Sequence, residues 1–500
     1  MRLCCQGGHS CYNGQVDCVL TLDVGSSSAR TLLFGFDGKP IPGFGSQVKY
    51  HAQTTEDGGW EIDPKELTGL VAKALAETCS QLREKSIKPA AVAVDTFWHS
   101  ILGVGEDGAA VTPVLHPFDN RSAPAAAELA KRIDNKAQHA RTGCMLHPSY
   151  PPAKILWLSG AGAHPKRWMS VGEYLFQEFF GQPVASTSMI SACGLWDQNR
   201  NTYDPELLAA LSLTHEQLAD PATMDLPLHS LVGDYKTNWP ELDGIPWFPA
   251  LGDGACDNIG SGCISRDEWA LMVGTSGALR CTVEADSYEI PDGLFCYRID
   301  RKRFVTGGAL SNGGEVYAWM RRTLQLPDDA TVEAQLAALK PGLHGLTILP
   351  LLAGERSPEW RSDTTAAVVG LRDGTTALEI LHASLASVAL RFRNVYEIMV
   401  SSLGEPRLLI GSGAALSRSQ VWTQMMADTL GHAVRMCLEP EATSRGAALP
   451  ALERIGAIPG IGSVPVTFGD VVATDPGREE IYKAALAKQR RLYQKLFEEI

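Results

Sequence analysis

Asp23 and the run Gly25-Ser26-Ser27-Ser28 behind it could do phosphate chemistry. Small side chains leave backbone N–H groups open, and a nest of such groups can hold phosphate oxygens. A carboxylate just before the nest can hold Mg²⁺ directly or through water. Taken alone, a Gly/Ser turn is an ordinary hairpin tip. The plan recurs about half a chain later: Val24 to Ala29, VGSSSA, is matched by Val273 to Ala278, VGTSGA. Two such copies suggest two related domains whose hairpins face each other. Met272 stands where the first copy has Asp23, so a metal belongs to the first half.

Asp253 lies between Gly252 and Gly254 at a strand-to-helix turn. Its carboxylate could accept the proton of an attacking hydroxyl, and its plain structural role is a helix N-cap. Asp257, one turn on, reads as a solvated or capping residue. Trp98 and His99 follow a short apolar run, Ala90–Val94; His99 could touch a polar substrate or be a satisfied structural histidine. Asp119 and Arg121 could clamp hydroxyl or carboxylate groups, since Arg offers a fork of donors. A loop ion pair is the alternative reading.

These residues need elements to carry them. Val19–Val24 and Ala29–Phe36 read as the arms of a β-hairpin, with a turn at Asp37-Gly38. Pro64 suits the first turn of a helix running to Lys85. Ala90–Val94 is a buried strand, and open α/β sheets place ligands at the C-terminal ends of such strands. Arg141–Leu158 is a Pro-broken loop running into a helix, and Ser186–Asp197 a covering loop or short hairpin. In the second half, Ala377–Met399 is a long helix. Arg407–Ile410 feeds Gly411-Ser412-Gly413-Ala414, and Ser419–Leu430 is helical; strand, Gly-rich turn and helix admit a nucleotide closely. Arg478–Ile500 is an amphipathic helix.

Five hundred residues suit two domains. With 45% hydrophobic and 20% charged residues the chain reads as soluble and globular. A net charge of −13 argues against a general binder of nucleic acid or anionic membrane, while leaving room for a local basic pocket. No apolar run has the length of a membrane span, and the N-terminus lacks a signal-peptide core. The scattered cysteines, Cys193, Cys263 and Cys281 among them, read as reduced thiols of a cytoplasmic protein. Residues 1–17 read as an extension expected to be disordered. Its Cys4, Cys5 and Cys11, with His9 and Cys18, fit no standard zinc spacing.

From about Cys18 onward the chain resembles the FGGY carbohydrate kinases of the actin-like ATPase superfamily. The carriers are Asp23–Ser28, Gly59–Pro64, Gly252-Asp253-Gly254, Gly274-Thr275-Ser276-Gly277, Gly354–Pro358, and Gly413-Ala414 with Trp422–Gln424 and Ala427-Asp428, in family order. His99-Ser100, Asp119–Ser122, Thr142–Cys144, His147-Pro148 and Lys154–Leu158 are similar to segments of gluconate kinases within it. Trp98 and His116-Pro117-Phe118 depart from that pattern near the sugar pocket, and Ala414 replaces a Gly of the adenosine loop.

The resemblance implies an α/β fold of two actin-like (ribonuclease H-like) domains, 18–262 and 263–500, with a ligand cleft between them. It implies ATP-dependent phosphorylation of a sugar or sugar acid, D-gluconate first, with xylulose, ribulose or a polyol as alternatives. An actin-like ATPase and a silent sugar-binding regulator are rivals from other classes. Asp253 would be the base, and Asp23 would serve Mg²⁺. Gly25, Ser26, Ser27, Gly274, Thr275 and Ser276 would grip the triphosphate of ATP, and Gly413 and Ala414 would admit its adenosine. Trp98, His99, Asp119, Arg121 and His147 would orient the sugar. The oligomeric state is left open, with a homodimer among the options.

Overall fold

The computed structural model describes residues 11–12, 15–342 and 344–498, so the Cys4, Cys5 and His9 of the N-terminal extension lie outside the described residues. The first sheet is built from β1 (Cys18–Val24), β2 (Ser28–Gly35), β3 (Pro40–Lys49), β4 (Val92–Thr96) and β5 (Trp247–Gly252), in the order β5-β4-β1-β2-β3. β1, β4 and β5 run parallel, β2 runs antiparallel to β1, and β3, antiparallel to β2, returns to the direction of β1. The near-continuous apolar runs of β1 and β4 follow from burial on both faces of the sheet. Helix α1 (Pro64–Glu84) packs against β3 and β2. The Asp63 side chain caps it by accepting from the Glu66 amide, and Pro64 occupies its first position. Helix α2 (Asp253–Gly260) follows β5 directly.

The second sheet repeats this plan. Its strands are β6 (Glu268–Val273), β7 (Gly277–Glu284), β8 (Phe295–Arg298), β9 (Arg303–Leu310), β10 (Leu408–Ser412), β11 (Val434–Cys437) and β12 (Phe468–Val472), in the order β8-β9-β7-β6-β10-β11-β12. The inner five, β9-β7-β6-β10-β11, match β3-β2-β1-β4-β5 in order and direction. The helices of this half that bear on the site are α3 (Gly314–Thr323), α4 (Ala377–Leu403), α5 (Ala414–Arg418), α6 (Gln420–Leu430), α7 (Ala442–Arg454) and α8 (Pro476–Phe497). A Thr376/Glu379 capping box starts α4, which fills the second core from one side.

Helix α7 comes from the C-terminal half of the chain but belongs to the first core. Its Ala448, Leu449 and Leu452 are fully buried there among β1 and β4 side chains. It crosses α2 at backbone contact. A Cβ on Gly260 would stand 1.7 Å from the Ala442 carbonyl oxygen, and one on Gly446 1.8 Å from that of Cys256. Only glycine permits that approach. Arg445 then donates to the Gly260 carbonyl at 2.7 Å, satisfying the end of α2.

Three expectations need correction. Ser186–Asp197 starts as a helix rather than a loop: Ser186 caps a short buried helix, Thr187–Ser191, and only Trp196-Asp197 at its end joins a short hairpin with Thr202-Tyr203. Asp253 is not an N-cap; Gly252 holds that position and Asp253 is the first helical residue. Asp257 is not a solvated residue, because it turns inward to an ion pair with Arg280 at 2.9 Å. Among the described residues no helix is long and apolar enough to cross a membrane, and Cys193, Cys263 and Cys281 are free thiols.

Candidate active site

The parallel strands β1, β4 and β5 end on one edge and deliver three carboxylates there. Asp23 and Asp95 are register partners across β1 and β4, and Asp253 leaves β5 beside them. Asp95 is fully buried, and neither of its oxygens meets a donor outside this cluster. Burial, then Asp23 and Asp253, push its carboxyl well above the usual range. Burial pushes Asp23 up to about 6, against the pull of Arg30. Asp23 also accepts from Ser444 of α7 at 3.4 Å, and Arg30 pairs with Glu441, so both halves of the chain meet here. No three described side chains form a closed metal cage. Mg²⁺ needs only one or two carboxylates, completing its shell with phosphates and water. A crowded acidic edge with an unpartnered carboxylate therefore fits that ion.

Asp253 is held from two sides. Its Oδ1 accepts from the Gly254 amide at 2.7 Å. The Trp98 indole lies over the flanking glycines: a Cβ on Gly252 would come within 1.9 Å of that ring, and one on Gly254 within 2.5 Å. Trp98 is itself anchored by Nε1 donating to the Ser188 carbonyl at 3.3 Å. The Gly-Asp-Gly sequence thus makes room for a ring that fixes the carboxylate. Burial raises the Asp253 carboxyl, and Arg280 opposes the rise.

Each hairpin tip closes on its own glycine, over different spans: Gly25 N–H donates to Ser28 O, three positions on, at 3.0 Å, and Gly274 N–H to Ser276 O, two positions on, at 2.9 Å. The second tip is docked on the start of α3, where the Gly314 amide donates to Gly274 O and the Glu315 amide to Thr275 O. A Cβ on Gly313 would lie 2.4 Å from the Ser276 carbonyl oxygen and one on Gly314 2.5 Å from that of Gly274, which accounts for the glycine pair. Gly274 and Thr275 form a wall shared by two cavities. The larger, of about 440 Å³, runs along Ala414, Ala415, Tyr317, Leu336 and Trp422. Gly413 sits behind it at φ +91°, with its Cβ position 2.4 Å from Val273 O.

The second cavity, of about 240 Å³, holds Asp253 and Ser26 with Gly274, Thr275 and Ser276 on one side, and Trp98 and His99 on another. His99 Nδ1 meets the Ala192 carbonyl at 2.8 Å, so Nδ1 carries the proton and Nε2 is left as an acceptor. Burial pushes His99 down to about 3, so it is neutral at physiological pH. Tyr150 and Tyr297 pack edge-on against its ring and bond each other at 2.6 Å. Phe118, Trp360, Arg280 and Arg356 complete the wall.

Of the sequence candidates, Trp98, His99, Ser26, Gly274, Thr275, Ser276 and Asp253 therefore line one space, with Gly25 and Ser27 in the same tip as Ser26. Asp119, Arg121 and His147 stand behind it. Asp119 accepts from the Trp60 amide at 2.9 Å and pairs with Arg121, which also reaches Glu61 at 2.5 Å and stacks on Trp157. These contacts hold the loop that presents Phe118, since Trp60 packs on Phe118 and His116. His147 bonds Ser149 and packs edge-on to Trp360. Sequence reasoning assigned no role to Asp95, Arg280 or Arg356. Arg280 carried a signal, as a charge in the buried interior of β7, whose other charge, Glu284, sits at the exposed end.

Residues 18–260 match the N-terminal domain of the FGGY family of carbohydrate kinases, and residues 270–452 its C-terminal domain. A gluconokinase of Bacillus licheniformis is 26% identical over 496 residues, spanning 96% of this chain and 94% of the relative. A glycerol kinase of Leptothrix cholodnii is 26% identical over 472 residues, spanning 87% and 90%. The crystal structure of a gluconate kinase from Lactobacillus acidophilus superposes with a TM-score of 0.87 at 23% identity, over 96% of this chain and 98% of that one. The chain belongs to the FGGY carbohydrate kinases, an α/β family of two-domain enzymes that use ATP as phosphoryl donor.

Proposed function

We propose that this kinase transfers the γ-phosphoryl group of ATP to a hydroxyl of a sugar acid, D-gluconate being the first choice. The observation that carries the acid is the charge of the 240 Å³ cavity: Arg280 and Arg356 line it, and Asp253 is the only carboxylate among the lining residues. Gluconokinases among the relatives support the same reading. In this reading the chain divides near residues 262 and 263, with α7 of the second part packed back into the first core, and the enzyme works in the cytoplasm, where its free thiols stay reduced.

Adenosine enters the 440 Å³ cavity beside Ala414, and the triphosphate passes the tip at Gly274 to Ser276 into the sugar cavity. Gly25 to Ser27 grip it from the opposite domain. His99 Nε2 accepts from a sugar hydroxyl, and the Trp98 face packs against the carbon chain. Asp253 takes the proton of the attacking hydroxyl as its oxygen bonds to the γ-phosphorus. The bond from that phosphorus to the bridging oxygen breaks, and ADP leaves with the electron pair. Phosphoryl transfer asks mainly for position and charge stabilisation. Asp23 would hold Mg²⁺, which when bound neutralises phosphate charge. Arg280, tethered by Asp257, adds a fixed positive charge beside Asp253.

The test is a coupled ADP-release assay over gluconate, xylulose, ribulose and glycerol. Gluconate is expected to exceed each neutral substrate in kcat/KM by at least about tenfold. A neutral sugar that leads by the same margin defeats the gluconate reading and leaves the kinase assignment standing.

A further inference from the structure

We propose that Arg356 is the residue that recognises the substrate carboxylate, an assignment that rests on the sugar-acid reading above. Three arginines approach the sugar end of the cleft, and their partners separate them. Arg121 is occupied by Asp119 and Glu61, and it does not line the cavity. Arg280 lines the cavity but is tied to Asp257 at 2.9 Å. Arg356 lines it with no carboxylate partner among the described residues. Its one hydrogen bond runs from Nη2 to the Leu310 carbonyl at 2.9 Å, and its Nε is buried with no acceptor.

A half-buried guanidinium with a buried, unpaired Nε and no counter-charge is costly to hold, and an anionic ligand removes that cost. The loop around Arg356 is built to keep it in place. Asn312 brackets Gly354, donating to its carbonyl at 2.8 Å and accepting from the Ala353 amide at 3.0 Å. Ser357 exchanges hydrogen bonds with Ala309 at 2.9 and 3.0 Å. Between them Glu355 turns away from the cavity to Arg391 and to the Tyr493 hydroxyl of α8. Adjacent residues thus part: Glu355 is spent on the scaffold, and Arg356 is presented to the cavity.

The wall around Arg356 is sugar-facing. Its guanidinium lies 5.8 Å from the Phe118 ring centroid, and Trp360, which donates its amide to the Arg356 carbonyl at 2.7 Å, packs on Tyr150. The phosphate end is marked instead by the hairpin tips. A planar fork of donors matches a carboxylate by two parallel bonds, which a polyol hydroxyl cannot reproduce.

The experiment compares gluconate with glucitol, in which CH₂OH replaces the carboxylate, on the full-length wild type, Arg356→Met and Arg356→Lys. Steady-state kinetics give the ratio of the two kcat/KM values and the KM for ATP. Tryptophan fluorescence, reporting through Trp98 and Trp360, gives gluconate binding without nucleotide. In Arg356→Met the gluconate-to-glucitol ratio is expected to fall by about a hundredfold. The fall should lie in the gluconate KM, the ATP KM should not follow, and the fluorescence titration should weaken in parallel. Arg356→Lys should recover part of the ratio. If Arg356→Met does not fold, Arg356→Lys and Arg356→Gln carry the test: Lys must keep more of the ratio than Gln, and equal ratios overturn the assignment. A preference for gluconate that survives in Arg356→Met, or a parallel loss of ATP affinity, overturns it alone. Wild-type enzyme that prefers glucitol overturns the sugar-acid reading, and the assignment with it.

Discussion

The crossing of α2 and α7 ties Asp253, the proposed base, to the packing of the two halves, and one methyl group tests it. A Cβ on Gly446 would lie 1.8 Å from the Cys256 carbonyl oxygen, whereas ordinary contact begins near 3.4 Å. The helices must therefore part by the difference, about 1.6 Å, or distort to match. α7 has little freedom to retreat, because Ala448, Leu449 and Leu452 are buried in the first core on β1 and β4. The displacement falls largely on α2, where Cys256 is three residues from Asp253. A misplacement of about 1 Å at a reacting group costs on the order of a hundredfold in rate, and overpacking costs about 1–3 kcal/mol of stability. Helix propensity works in the opposite direction, favouring Ala over Gly by about 1 kcal/mol, so any net loss must come from the crossing. Gly446→Ala is expected to lower kcat about a hundredfold and to lower the melting temperature. ATP affinity should change little, because the Ala414–Trp422 cavity is remote from the crossing. Gly69→Ala is the control: Gly69 is exposed on α1 with nothing within 4 Å of its Cβ position, so it should be neutral or stabilising. The variants are compared by steady-state kinetics and calorimetry. Gly446→Ala with wild-type kcat and melting temperature would refute the reasoning, as would an equal loss in Gly69→Ala.

Asp253→Asn should lower kcat by about a hundredfold or more while ATP affinity, measured by calorimetry, stays within a few fold; near-normal turnover would mean that Asp253 is not the base. Burial holds the Asp253 carboxyl above its ordinary range and Arg280 holds it down, with Asp257, Asp23 and Asp95 as the other charged neighbours. The base must be ionised, so kcat/KM should fall as pH drops through that raised value. Arg280→Met should move the acid limb to higher pH, and a limb that stays put or moves lower counts against the pairing. Asp23→Ala should raise the Mg²⁺ concentration at half-maximal rate, and an unchanged Mg²⁺ titration would remove Asp23 from that role.

Local chemistry was legible in the chain. The tips at Gly25 and Gly274, the strand before each, and the helix behind Pro64 follow from small residues at turns, apolar runs and capping, all set within a few positions. The repeat of the first tip in the second implied paired domains, and the two sheets share their order and direction. Which charge meets which was decided only by the tertiary structure. Arg121 sits two residues from Asp119, yet its occupancy by Glu61 and its stacking on Trp157 are made across the fold. Asp257 looked solvated one turn after Asp253, and is instead half-buried and paired because β7 brings Arg280 to it. Asp23 and Asp95 face each other through strand register, and Ser444 reaches Asp23 from 421 positions away. Turn and helix signals are short-range because backbone geometry is local. The charge of a site depends on partners that only packing brings within a few ångströms, and sequence separation carries no record of that distance.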